Sequence, residues 1–195
     1  MMVRTGRRPG ESGTREAIVE AARGAFAEHG YEGATIRGIA ARAGVDPALV
    51  YHFHGSKEEL FAAAMRLPFQ PSEMIPSLLE GDPDGLGERI LRLFLVVSDQ
   101  PGGSPFVALM RSASTNERAA RMLREFLTRE VIGRVARALG APDAELRATL
   151  VGSHLAGLAM ARYILRMEPL ASADRDTVVA AVAPTLQRYL TGDLA

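Results

Sequence analysis

Tyr51, His52, His54 and Lys57 bring a phenol, two imidazoles and the chain's only lysine into one short stretch, with the hydroxyls of Thr35 and Ser56 nearby. A phenol and an imidazole displayed together on a short exposed helix suit hydrogen bonds to phosphates and base edges. An ammonium in the first turn of a helix, beside free backbone N–H groups, meets a phosphate as a point charge. His52-x-His54 has the outline of a metal pair, but no carboxylate stands at ligand spacing, and no metal is expected. Catalysis is not expected either. There is no cysteine, no Gly-x-Ser-x-Gly and no His-Glu-x-x-His. Ser153 and His154 are neighbours on one helix, where adjacent side chains point about 100° apart and cannot form a nucleophile–base pair. His154 reads either as a core histidine bonded to a carbonyl or as a polar contact to a ligand. No cofactor is implied.

The elements that must position these groups lie between residues 35 and 60. Thr35 caps a helix whose Ile36, Ile39 and Ala40 fall on one face, and Gly44 ends it. Asp46 caps the next helix, with Pro47 at its first position. That helix is about two turns long and ends near His54-Gly55. Val45, either Leu49 or Val50, and Phe53 read as inward; Ala48, Tyr51 and His52 read as outward. Ser56 opens a third helix with Glu59 three residues on, a capping box. The pattern is a helix-turn-helix, whose second helix offers its free face to a DNA major groove.

Thr35-Ile36-Arg37-x-Ile39-Ala40-x-x-Ala43-Gly44-Val45-x-Pro47, then Leu49-Val50-Tyr51-His52-Phe53 and Gly55-Ser56-Lys57-Glu58-Glu59-Leu60-Phe61, resembles the N-terminal domain of TetR/AcrR-type transcriptional regulators. The detailed match covers residues 14–62; the remainder is similar only in helical layout. His54 departs from the pattern, since an apolar aromatic is common there. The resemblance implies DNA contacts from Thr35, Arg37, Ala48, Leu49, Tyr51, His52, Ser56 and Lys57. Thr35, Tyr51 and Lys57 would position on phosphate, and Ala48 and His52 would read sequence.

Composition sets the bounds. The 195 residues are 47% apolar and 24% charged, normal for a soluble globular protein, and the 23 basic and 23 acidic residues cancel. Any basic surface is therefore local. Zero cysteines exclude a disulfide framework and fit a reducing cytoplasm. No signal peptide or bilayer-spanning run is read. Residues 1–13 read as a disordered basic tail, with Arg4, Arg7 and Arg8 available to a minor groove. Residues 14–67 read as the helix-turn-helix domain, its first helix 14–30 using Ile18, Ala22, Ala25, Phe26 and His29 as one face. Pro68, Pro71 and Pro76, then Glu80-Gly81-Asp82-Pro83, mark 68–85 as a boundary.

Helical patterns follow over 86–99, 105–114, 117–139, 143–167 and 174–190, with Pro184 expected to kink or divide the last. No strand pattern appears, so the fold class is all-α, about nine helices, with residues 68–195 forming a helical ligand-binding and dimerisation domain. Ala148, Gly152, Ser153, Ala156 and Gly157 give the 143–167 helix a small-residue face. Phe94, Phe106, Met110, Met122, Phe126, Met160 and His154 are candidates to line an apolar effector pocket, ordinary core packing being the plainer role of each.

The resemblance implies a dimeric, ligand-responsive repressor. The segments 143–167 and 174–190 would pair with their copies, and two recognition helices about 34 Å apart would read a palindromic operator. A different reading fits the same elements: an all-helical small-molecule or lipid-binding domain, or an enzyme, in which 35–60 is only a packing corner. It requires Ala48, Tyr51 and His52 to be buried.

Overall fold

The computed structural model describes residues 11–100, 104–140 and 143–194. Among them there is no strand, and the helical segments assemble into ten rods, close to the nine expected. The first is α1 (Glu11–Gly33), followed by α2 (Ile36–Ala43), α3 (Pro47–His54) and α4 (Lys57–Ala64). Then come α5 (Pro71–Leu79), α6 (Leu86–Ser98) and α7 (Pro105–Ala113). α8 (Glu117–Phe126), a π turn (Leu127–Ile132) and α9 (Gly133–Leu139) run on as one rod. α10 (Ala144–Ala159) continues into a second π turn (Met160–Ile164), and α11 (Arg175–Thr191) closes the chain.

The local signals around the helix-turn-helix act as the sequence indicates. Thr35 Oγ1 accepts from Gly38 N–H at 3.1 Å, Asp46 Oδ1 from Ala48 N–H at 2.7 Å, and Ser56 Oγ from Glu59 N–H at 3.2 Å. Gly44 sits at φ 68, a left-handed turn that glycine adopts without a Cβ clash. The capping box is only half made. Glu59 turns its carboxylate away from Ser56 and accepts from Ser72 N–H at 2.9 Å, tying α4 to the start of α5.

Three boundaries differ from the sequence expectation. Residues 11–13 belong to α1, so within the described residues the tail is shorter than 1–13; residues 1–10, with Arg4, Arg7 and Arg8, lie outside them. The stretch 68–85 holds a helix, α5, because Pro71 occupies its first turn, where no N–H is needed, and Ile75 and Leu78 bury one face. α11 is undivided at Pro184, whose ring stands on the exposed side while Val179, Ala183, Leu186 and Leu190 anchor the other. No helix among the described residues is long and apolar enough to cross a membrane.

Two cores result. One joins Ile18, Ala22 and Phe26 of α1, Ile39 of α2, Val50 of α3 and Leu60 and Phe61 of α4. The other joins α5, α6, α9, α10 and α11. The seam between them is α8, whose Met122 and Phe126 complete the first core although they lie far along the chain. Phe126 stacks on Phe61 at 4.4 Å and meets Tyr31 edge-on at 5.5 Å.

Candidate functional site

α3 is held to the first core by Val50, 1% exposed, which resolves the ambiguity with Leu49, 38% exposed. Around that anchor Ala48, Tyr51 and His52 stand free, Tyr51 at 54% exposure. Thr35 and Arg37, at the start of α2, are also exposed, and Ser56 is half-buried at the head of α4. Six of the eight residues expected at DNA therefore lie exposed on α2 and α3. The packing-corner alternative needed Ala48, Tyr51 and His52 covered, and they are not.

Lys57 is placed otherwise than expected. Its Nζ lies 4.8 Å from the centroid of the Tyr31 ring and donates to the Glu32 carbonyl at 3.2 Å, folded back on the end of α1. Burial, then Arg129, lower its pKa, with Glu32, Glu130 and Glu125 opposing. The ring of Tyr31 and the carbonyl offer a fixed site for an ammonium that would otherwise point to solvent, so phosphate contact requires it to leave them.

His54 packs inward, 8% exposed, and its Nε2 has no hydrogen-bond partner among the described residues. Burial first, then Arg15, hold its imidazole below the ordinary range, which favours the neutral ring. His29, expected on the buried face of α1, is exposed beside Glu28 at 3.8 Å.

In the second core a cavity of about 140 Å³ opens between α5, α6, α7, the α8–α9 rod and α10. Phe94, Phe106 and Met110 line it, as expected. Leu78, Ile90, Leu127, Val131 and Val135 add to these, and Ala148, Val151, Gly152, Leu155 and Ala156 of α10 form the remaining wall. Among the described residues, no charged side chain lines it. Phe94 and Phe106 meet edge-on at 6.3 Å.

Four candidates for this pocket lie elsewhere. Met122 and Phe126 are drawn into the first core by the rings of Phe61 and Tyr31. His154 is half-buried with its ring 6.0 Å from that of Tyr189, on the side of α10 that meets α11. Met160 belongs to the π turn beyond the cavity wall. The small residues Ala148, Gly152 and Ala156 were the readable signal for the wall that was missed. Spaced one helical turn apart, they leave a trough where larger side chains would have filled the space.

Comparison with known proteins places both halves. The family model for bacterial regulatory proteins of the tetR family matches residues 18–64, and that for the tetracyclin repressor-like C-terminal domain matches residues 84–190. The chain belongs to the TetR family. A TetR-family regulator of Streptomyces coelicolor, known by crystal structure, is 43% identical over 95% of this chain and 99% of its own, with a TM-score of 0.49. The transcriptional repressor AcnR of Corynebacterium efficiens is 47% identical over 66 residues, 34% of each chain. The regulator BetI of Rhizobium meliloti is 44% identical over 52 residues, 27% of this chain and 26% of its own. The chain thus covers about a third or less of the length of these two curated relatives. The family is one of DNA-binding regulators, not enzymes.

Proposed function

We propose that this TetR-family chain is a transcriptional repressor that leaves its operator when a small neutral molecule occupies the cavity. The observation that carries the DNA half is α3 itself: a two-turn helix anchored by Val50, with Ala48, Tyr51 and His52 exposed and Thr35 and Arg37 beside it. Tyr51 and Thr35 position on phosphate, and Ala48 and His52 read base edges. Arg4, Arg7 and Arg8 supply an arm for the adjacent minor groove.

The effector's chemistry follows from the lining. Burying an unpaired charge among these side chains is strongly unfavourable, so the ligand is uncharged and apolar. Apolar cavities of this size, ~150 Å³, stay dry and accept molecules as small as benzene. The working form is a homodimer through 143–167 and 174–190. Leu146, 56% exposed, and the open flank of Ser153 and Gly157 on α10 offer apolar and close-approach surface for it. Two-fold symmetry then presents two copies of α3 to a palindrome.

Selection of bound duplexes from a random pool, followed by mobility shift of the winner against random-sequence competitor, tests the reading. A palindromic winner bound at least about 10³-fold over competitor is expected. Uniform binding of all sequences at moderate salt, or none, refutes it.

A further inference from the structure

Leu127 and Val131 face both halves of the molecule. Each walls the cavity, and each also packs against the core of the helix-turn-helix. They belong to the π turn Leu127–Ile132, where the helix takes up an extra residue and Gly133 N–H reaches back to the Thr128 carbonyl. A Cβ on Gly133 would lie 3.1 Å from that carbonyl, so glycine leaves the turn its width. Single π turns inside α-helices recur at functional positions.

The polar residues of the same turn and the next hold the DNA-binding unit. Glu130, 9% exposed, accepts from the Tyr31 hydroxyl at 2.9 Å. Burial, then the Glu130 carboxylate, push that hydroxyl above the ordinary phenol range, so it remains a donor. Arg134 lies 3.0 Å from Glu58 in the first turn of α4 and 3.5 Å from Glu130. One grip is thus on the end of α1 and the other on the start of α4. Only Gly55 and Ser56 separate α4 from α3. Val131, against the cavity, is bonded directly to Glu130, so a ligand that displaces Val131 moves the grip on Tyr31 with it.

We propose that the π turn Leu127–Ile132 couples the cavity to the recognition helix, through Tyr31–Glu130 and Glu58–Arg134. The effect on DNA rests on the repressor reading above; the mechanical coupling does not. A molecule larger than the empty cavity moves Leu127 and Val131 outward. The two grips loosen together, and α4 carries α3 away from the geometry the operator needs.

Cavity filling by mutation replaces the unidentified effector. Ala148→Leu places extra carbons in the cavity; Val151→Leu, a milder filler, serves if the first variant does not fold. Both are made in the native background and in a Tyr31→Phe/Glu58→Ala background, which removes the hydroxyl and the carboxylate of the two grips but keeps the aromatic ring at position 31. Amide hydrogen exchange is followed by mass spectrometry, and affinity is measured for the selected operator. In the native background filling should speed exchange at residues 31–33 and 57–61. It should weaken operator binding by about 5–150-fold, the usual span of coupling between sites. In the grip-free background both effects should fall to within about twofold, the limit of additivity. Exchange at 31–33 and 57–61 unchanged by filling, or equal effects in both backgrounds, overturns the proposal. Failure to bind any selected DNA would refute the repressor reading alone, because exchange still decides the coupling.

Discussion

Phe126 belongs in chain order to the C-terminal half, yet its ring, 1% exposed, closes the core of the helix-turn-helix. Phe126→Ala should therefore destabilise the DNA-binding unit. Removing a buried phenylalanine costs about 3–5 kcal/mol. The upper part of that range applies, since stacking on Phe61 at 4.4 Å and the edge contact to Tyr31 at 5.5 Å are both lost. Aromatic pairs of this kind each contribute about 0.5–1.5 kcal/mol beyond burial. For a chain of 150–250 residues each kcal/mol moves the melting point by about 2–4 °C, so a fall of roughly 8–20 °C is expected. Thermal and urea unfolding followed by circular dichroism measure it. Phe126→Leu, which keeps much of the apolar bulk without the ring, should recover more than half of the loss. A loss below about 1 kcal/mol, typical of an unremarkable surface site, refutes the placement of Phe126 at the junction.

Other consequences can be measured separately. Burial and Arg15 hold His54 below the ordinary imidazole value of about 6.5, so the folded state prefers the neutral ring. That contribution to stability is complete above the unfolded value and is lost as pH falls through the lower, folded one. His54→Phe should flatten the decline in melting temperature between about pH 7.5 and pH 5; an unchanged decline places the acid sensitivity elsewhere. Asp46→Ala removes the cap on Ala48 N–H and should cost about 1 kcal/mol in urea titrations, with Asp46→Asn near native. Tyr51→Phe should weaken binding on every sequence, whereas His52→Ala should alter which base pairs are preferred in a selection repeated with the variant. Removing residues 1–8, and with them three arginines, should reduce the slope of log K against log salt by up to about 2.7 if all three meet phosphate; an unchanged slope excludes the arm.

What was readable in the sequence separates by range. The caps Thr35, Asp46 and Ser56 and the left-handed Gly44 act within three or four residues, so residue type alone announced them. The exposed face of α3 was readable for the same reason: a two-turn helix with Val50 and His54 buried leaves little choice for the others. Leu49 and Val50 could not be separated until the orientation of α3 on α1 and α4 was known. Met122 and Phe126 have the right periodicity to face a core, but periodicity does not say which core. The partner rings Phe61 and Tyr31 lie far away in sequence. Lys57 shows the same limit in electrostatics, since its place over the Tyr31 ring depends on how the end of α1 returns past the start of α4.

The small-residue face of α10 carries the argument one step further. Small side chains on a helix permit either a close neighbour or an empty space, and composition does not distinguish them. Here the two outcomes fall on different sides of one helix. Ala148, Gly152 and Ala156 border the cavity, while a Cβ on Gly157 would meet nothing within 4 Å. Under the proposed function, the first side is where a ligand lodges and the second is where a second copy approaches. A bulky residue at Gly157 should therefore disrupt dimers while leaving uptake of a neutral apolar probe such as benzene intact, and Ala148→Leu should do the reverse. Sedimentation and a benzene-induced melting shift separate the two, and loss of both properties from either single substitution would refute the division of the helix into two faces.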